Sequence, residues 1–170
     1  EVMVLIQFYD DNKAQRELVL NYVKENFLDV TSLLYVVNQK GNDTIYDQKI
    51  ICYHGSDHIF EKIDDLKFKI NAKSFFQTNS NQMLELYKIV LRFASLTKTE
   101  IVYDLYTGTG AIALFLAKYS KKVIGIDSIT EAIESAKENT IENKIENVFF
   151  ELGDMKKIFN KDFIKRNGKA

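Results

Sequence analysis

Apolar and polar positions follow two different rhythms along this chain. Residues 2–8, Val-Met-Val-Leu-Ile-Gln-Phe, form a β-branched and aromatic run of strand length, and Asp10-Asp11-Asn12 behind it supplies turn and helix-capping side chains. Leu18, Val19, Tyr22, Val23 and Phe27 recur at helical spacing, which predicts an amphipathic helix over residues 12–27. A second strand is expected over 32–37, then a turn over 38–43 with Gly41 where positive φ is favoured. Short strands follow at 50–53, 59–63 and 66–70, and the last two alternate around Asp64-Asp65, a hairpin signal. Residues 1–70 therefore read as a small α+β domain with antiparallel strands.

Beyond Asn71 the rhythm changes. Met83, Leu86, Tyr87, Val90 and Leu91 lie on one stripe of a helix over 82–96. Strands at 101–105, 122–126 and 148–152 then alternate with helices at 109–118 and 130–143. Such alternation predicts right-handed βαβ crossovers and a parallel sheet, so the fold class is α/β. Residues 71–170 are expected to be the N-terminal part of a Rossmann-like domain, with the boundary near 70–78. The expectation is of a piece of a longer protein: the chain opens in mid-strand on Glu1, holds three strands of the second domain and contains 0 prolines.

Composition narrows the picture modestly. The 46% hydrophobic and 28% charged content is that of an ordinary globular protein. A net charge of -1 gives no global pull toward nucleic acid, so any such binding must come from a local patch or from segments outside this sequence. No apolar run approaches the ~20 residues of a membrane span. The single cysteine, Cys52, excludes an intrachain disulfide framework and a cysteine-rich zinc site. A cytoplasmic protein with neither membrane nor metal partner is the expectation.

The chemistry concentrates in Asp104-Leu105-Tyr106-Thr107-Gly108-Thr109-Gly110, which joins a strand to a helix. Gly108 to Ala113 satisfies the dinucleotide pattern G-x-G-x-x-G/A, and Asp127 ends the next strand where a ribose diol could bind. The same features suit S-adenosylmethionine. Asp104 favours the latter, because a carboxylate there attracts a cationic amino-acid end and repels a pyrophosphate. Gly153-Asp154 follows the third strand, where a carboxylate could reach an adenine amino group; a plain turn explains that pair nearly as well.

Ala72-Lys73-Ser74-Phe75-Phe76-Gln77-Thr78-Asn79, followed by a helix and the glycine turn, resembles the RNA uracil-C5 methyltransferase family, whose members make 5-methyluridine in tRNA and 23S rRNA. The resemblance runs from the first strands to Asp154. It implies an S-adenosylmethionine-dependent methyltransferase fold and an RNA substrate, 23S rRNA being the expected one, with a flipped or single-stranded uridine as target. It also implies that Gln77 contacts the cofactor, Tyr106 lies along it beside Gly108 and Gly110, Asp127 takes the ribose hydroxyls and Asp154 the adenine.

Two departures from the family stand out. Many members carry cysteine where this chain has Thr107. The Asp-Pro-Pro-Arg strand end, the catalytic cysteine and the glutamate base are expected beyond Ala170, so no catalytic residue is assigned and the chain alone is expected to be inactive. The family's chemistry needs that thiolate: it adds to uracil C6, an enolate attacks the methyl group, and a base removes the C5 proton. Cys52 is expected to be a buried structural cysteine instead. His54 and His58 are expected to be solvated loop residues. Lys67, Lys69 and Lys73 could form a modest basic edge, and the helix at 131–144 reads as a solvated face. Two alternatives stay open: a nicotinamide oxidoreductase domain and a non-catalytic RNA-binding module.

Overall fold

The computed structural model describes residues 1–170. The chain divides into two units, one of Glu1–Glu61 with Ile70–Lys73, the other of Lys62–Lys69 with Ser74–Ala170.

In the first unit, β1 (Val2–Phe8), α1 (Lys13–Asn26), β2 (Val30–Val37) and β3 (Ile51–Gly55) build a sheet in the order β1-β2-β3. Helix α1 starts at Asn12, whose side chain accepts from the Gln15 N–H at 3.2 Å. Strand β2 is central, so Ser32, Leu33 and Leu34 are buried in succession. The expectation of antiparallel strands throughout needs correction. β2 and β3 are antiparallel, but β1 and β2 pair in parallel, with Met3 opposite Ser32 and Phe8 opposite Val37. Parallel neighbours need a crossover of a dozen or more residues, and α1, at 14 residues, is that crossover.

Helix α1 also turns a different face inward than its apolar stripe suggests. Leu20 is buried and the Arg16 guanidinium lies 4.9 Å from the Tyr35 ring centre, whereas Leu18 and Tyr22 are 74% and 61% exposed. Cys52 is exposed, not buried, because β3 is an edge strand with most of its residues open to solvent. His54 lies within β3, and His58 opens β4 (His58–Ile63), so neither is a loop residue. The His58 ring stands edge-on to Phe60 at 5.1 Å, with Nδ1 2.7 Å from Asp57. Strand β4 pairs with β5 (Leu66–Asn71) around Asp64-Asp65, the hairpin read from the sequence.

In the second unit, α2 (Ser80–Ala94) begins where the Asn79 side chain accepts from the Gln82 N–H at 3.1 Å, and it buries Met83 and Tyr87. Strands β6 (Ile101–Leu105), β7 (Lys122–Asp127) and β8 (Val148–Leu152) then form a parallel sheet in the order β6-β7-β8. They are connected by α3 (Ala111–Ala117) and α4 (Thr130–Glu142). Along β7 successive side chains enter different cores. Val123 joins Met83, Tyr87, Leu114 and Phe115, while Ile124 and Ile126 pack with Phe163. A strand covered on both faces reads as one continuous apolar run, as Val123 to Ile126 does.

Phe163 belongs to α6 (Lys161–Asn167), which follows the four-residue α5 (Met155–Ile158). Neither helix was expected from the sequence. The Tyr103 ring meets Phe159 at 5.7 Å and Phe163 at 5.1 Å, and its hydroxyl donates to the Gly168 carbonyl. Helix α4 is solvated on one side only. Its inner side buries Ile133, Ser135, Ala136 and Asn139, while Glu138 and Glu142 pair with Lys69 and Lys67, each at 2.9 Å. Lys73 donates to the Tyr46 carbonyl at 2.8 Å. The three lysines expected to offer a basic edge are thus already engaged. No helix is long and apolar enough to cross a membrane.

Candidate functional site

The carboxyl ends of three parallel strands carry Asp104, Asp127 and, two residues beyond β8, Asp154. A parallel sheet places its ligand crevice at that edge. The turn from β6 into α3 is built from left-handed residues: Tyr106 (φ 68°), Gly108 (φ 54°) and Gly110 (φ 80°). Tyr106 accepts this conformation without being glycine, and its side chain is 69% exposed. The Tyr106 and Thr107 N–H groups both donate to the Ile126 carbonyl, at 2.9 and 3.0 Å, which hangs the turn on the end of β7.

The two glycines do different jobs. A Cβ on Gly110 would lie 2.9 Å from Phe150 Cζ and 3.1 Å from Ala136 Cβ, so this residue lets the turn press against α4 and β8. A Cβ on Gly108 would meet nothing within 4 Å. In a dinucleotide turn the second glycine leaves room for the pyrophosphate. Here the second glycine serves packing, and the open flank is at the first.

Asp127 is fixed by the turn. Its Oδ2 accepts from the Gly108 N–H at 2.9 Å, its Oδ1 from the Ile129 N–H at 3.0 Å, and its carbonyl from the Gly153 N–H at 2.8 Å. Each carboxylate oxygen keeps a lone pair for a further donor. Asp104 is partly buried, and its Oδ2 accepts from Thr107 Oγ1 at 2.7 Å. Burial pushes its carboxyl above the ordinary value, bonds from Thr107 and the Ala113 backbone pull it back, and the Asp127 charge adds to the rise. A cation placed here would relieve that unfavourable ionisation. Asp154 is exposed and caps α5, accepting from the Lys156 N–H at 2.9 Å. Gln77 is exposed in the segment between β5 and α2 and takes no part in capping α2, which Asn79 does. The structure thus joins Asp127 to Gly108 by a hydrogen bond, brings Asp104 under the turn, and leaves Gln77 and Tyr106 open to solvent.

Three residues near the turn escaped sequence reasoning. Thr107 is buried and holds Asp104. Asn139, fully buried on α4, donates to the Thr109 carbonyl at 3.2 Å and accepts from the Lys69 N–H at 2.7 Å. Tyr87 is 4% exposed; burial raises its phenol pKa, and the Asp104 charge raises it further. Its position on the α2 stripe reads simply as core, so no local signal distinguishes it.

Residues 96–168 match the family model of a methyltransferase domain. With its parallel sheet, the second unit has the Rossmann-like α/β fold of S-adenosylmethionine-dependent methyltransferases. An uncharacterized RNA methyltransferase of Porphyromonas gingivalis is 53% identical over 99% of the chain and 36% of its own length. Another, from Bacteroides thetaiotaomicron, is 45% identical over 99% of the chain and 37% of its own. The chain spans about a third of the length of these relatives. The crystal structure of Pyrococcus abyssi tRNA (uracil-54, C5)-methyltransferase in complex with S-adenosyl-L-homocysteine superposes with a TM-score of 0.70 at 32% identity, covering 91% of this chain and 36% of that one. The likeness to RNA methyltransferases therefore runs along nearly the whole chain.

Proposed function

We propose that this chain is the cofactor-binding part of an S-adenosylmethionine-dependent RNA methyltransferase that acts on uracil C5, with 23S rRNA as its substrate. One observation carries the cofactor reading: a single hydrogen-bonded turn presents the Asp104 carboxylate, the open flank of Gly108 and the Asp127 carboxylate together. Asp104 has a raised pKa and no basic side chain bonded to it, which suits an ammonium group and disfavours a pyrophosphate. In this reading residues 71–170 are the cofactor domain, and residues 1–70 a small domain that accompanies it.

Asp104 would hold the cationic amino-acid end, with Gln77 offering an amide that donates and accepts toward the zwitterion. Tyr106, Gly108 and Gly110 would lie along the body of the cofactor. The remaining lone pairs of Asp127 would take the ribose hydroxyls, and Asp154 the adenine amino group. Bound S-adenosylmethionine supplies an activated methyl group; the residues here fix where that methyl points. The uracil reading is supported by the 32% identity with the Pyrococcus abyssi tRNA (uracil-54, C5)-methyltransferase.

Calorimetry with S-adenosylhomocysteine and with NADH tests the cofactor. Tighter binding of S-adenosylhomocysteine is expected, and tighter NADH would overturn the reading. Deleting the gene and digesting cellular RNA for nucleoside mass spectrometry tests the target. Loss of 5-methyluridine from 23S rRNA is expected, loss from tRNA alone would redirect the substrate, and no loss from either would sink the uracil assignment.

A further inference from the structure

We propose that Asn139 of α4 is a positioning residue for the cofactor turn, holding the Thr109–Gly110 peptide and, through it, the Asp104 carboxylate. This inference rests on the S-adenosylmethionine reading above and concerns a side chain that itself touches no ligand. Asn139 is fully buried, and its amide is used at both ends. Nδ2 donates to the Thr109 carbonyl at 3.2 Å, and Oδ1 accepts from the Lys69 N–H of β5 at 2.7 Å. An amide meets both needs at once, whereas a carboxylate offers acceptors alone and an aliphatic side chain offers neither. Burial makes the demand strict, because a main-chain group enclosed without a partner is unfavourable.

The consequence reaches the ligand side of the turn. Gly110 stands at the start of α3 and has no side chain to cap it. The peptide before α3 is held from outside instead: Asn139 takes its carbonyl, and its N–H, that of Gly110, donates to the Thr107 carbonyl at 2.9 Å. Thr107 in turn donates from Oγ1 to Asp104 Oδ2 at 2.7 Å. A series of hydrogen bonds thus runs from α4 to the carboxylate assigned to the ammonium group, and such bonds polarise one another. At the C-terminal end of α4, Asn143 donates to the Lys67 carbonyl at 2.7 Å and accepts from the Lys67 N–H at 2.8 Å. Both asparagines fasten β5 to α4, and of the two it is Asn139 that also holds the turn.

The test measures S-adenosylhomocysteine affinity by calorimetry on the wild-type chain, Asn139→Asp, Asn139→Ala and Asn143→Ala, each checked for folding by circular dichroism. An ionised aspartate at 139 keeps the Lys69 bond but turns a negative charge on the Thr109 carbonyl oxygen; protonated, it donates there as the amide did. Burial and that carbonyl both favour the neutral form, so recovery begins above the ordinary aspartate range. Asn139→Asp should bind about 10- to 100-fold more weakly than wild type at alkaline pH, and within about 3-fold of it at acidic pH. Asp104, Asp127 and the pairs of Lys67 with Glu142 and Lys69 with Glu138 titrate in both proteins, so the ratio of the two affinities isolates position 139. Asn139→Ala should bind about 10-fold more weakly at every pH, while Asn143→Ala, which loosens the same strand, should bind as wild type does. If Asn139→Asp folds only when protonated, the two alanine variants decide. Unchanged affinity in Asn139→Ala would overturn the assignment, as would an equal loss in Asn143→Ala or, in folded Asn139→Asp, a deficit that ignores pH; these are the marks of a merely structural role. A wild-type chain that does not bind S-adenosylhomocysteine would overturn the cofactor reading and this inference with it.

Discussion

Replacing each turn glycine by alanine separates close packing from ligand access. At Gly110 the new methyl would sit 2.9 Å from Phe150 Cζ and 3.1 Å from Ala136 Cβ, with Ala136 Cα at 3.4 Å. The phenyl tip can shift, but the two Ala136 atoms belong to α4 and move only with it. Overpacking of this kind costs about 1–3 kcal/mol. The backbone at φ 80° adds about 1–2 kcal/mol for a residue with a Cβ, partly offset by about 0.4–1 kcal/mol from a less flexible unfolded chain. The total is about 2–4 kcal/mol, which for a chain of this size lowers the melting temperature by roughly 5–15 °C. At Gly108 only the backbone contribution applies, because nothing lies within 4 Å of the added Cβ. Gly108→Ala should therefore melt within roughly 2–4 °C of wild type. Its methyl nevertheless occupies the flank offered to the ligand, so S-adenosylhomocysteine affinity should fall. Thermal melts followed by circular dichroism, with calorimetry on each variant, check both halves. Equal melting shifts at the two positions would refute the packing argument, and undiminished binding by Gly108→Ala would refute the access argument.

Other outcomes follow from the same structure. Phe163→Ala should cost about 3–5 kcal/mol in urea denaturation, since the ring is 1% exposed against Ile124 and Ile126; a loss below about 1 kcal/mol would mean α6 is a dispensable cover. Burial raises the folded-state pKa of Asp104, so ionising it on the way to neutral pH costs stability. The cost is absent below the ordinary value of 3.8, where the carboxyl is protonated in both states, and complete once pH passes the folded-state value. Asp104→Asn should then raise the melting temperature at neutral pH and leave it unchanged below 3.8, while weakening S-adenosylhomocysteine binding; an equal shift at both pH values would contradict this.

The run from β6 to β8 was legible because each strand is a short apolar block and each helix repeats at its own period. Helices α5 and α6 were not, because four and seven residues hold too few turns to show a stripe, and Phe163 alone anchors the second. The Asn160 cap, accepting from the Phe163 N–H at 3.0 Å, was the one local hint. The parallel pairing of β1 and β2 follows from the strand–helix–strand order, whereas the antiparallel signal of the region comes from its later strands alone. For the site, Asp104, Gly108 and Asp127 could be placed by their spacing from strand ends. Thr107, Tyr87 and Asn139 could not, because what marks them is a partner across the fold: Asp104 for Thr107, Phe115 for Tyr87, and the main chain of Thr109 and Lys69 for Asn139.

Asp127 has both carboxylate oxygens committed to main-chain donors, Gly108 on one side and Ile129 on the other, while its own carbonyl receives Gly153. The side chain proposed to meet the ribose is therefore locked in orientation by folding, and arrival of a ligand need not freeze it. Ordering of the acid is charged to the fold rather than to the association step, which leaves more of each new hydrogen bond as affinity. The strand end thus behaves as a rigid jig: it sets the glycine turn and the acid in fixed relation before any cofactor is present.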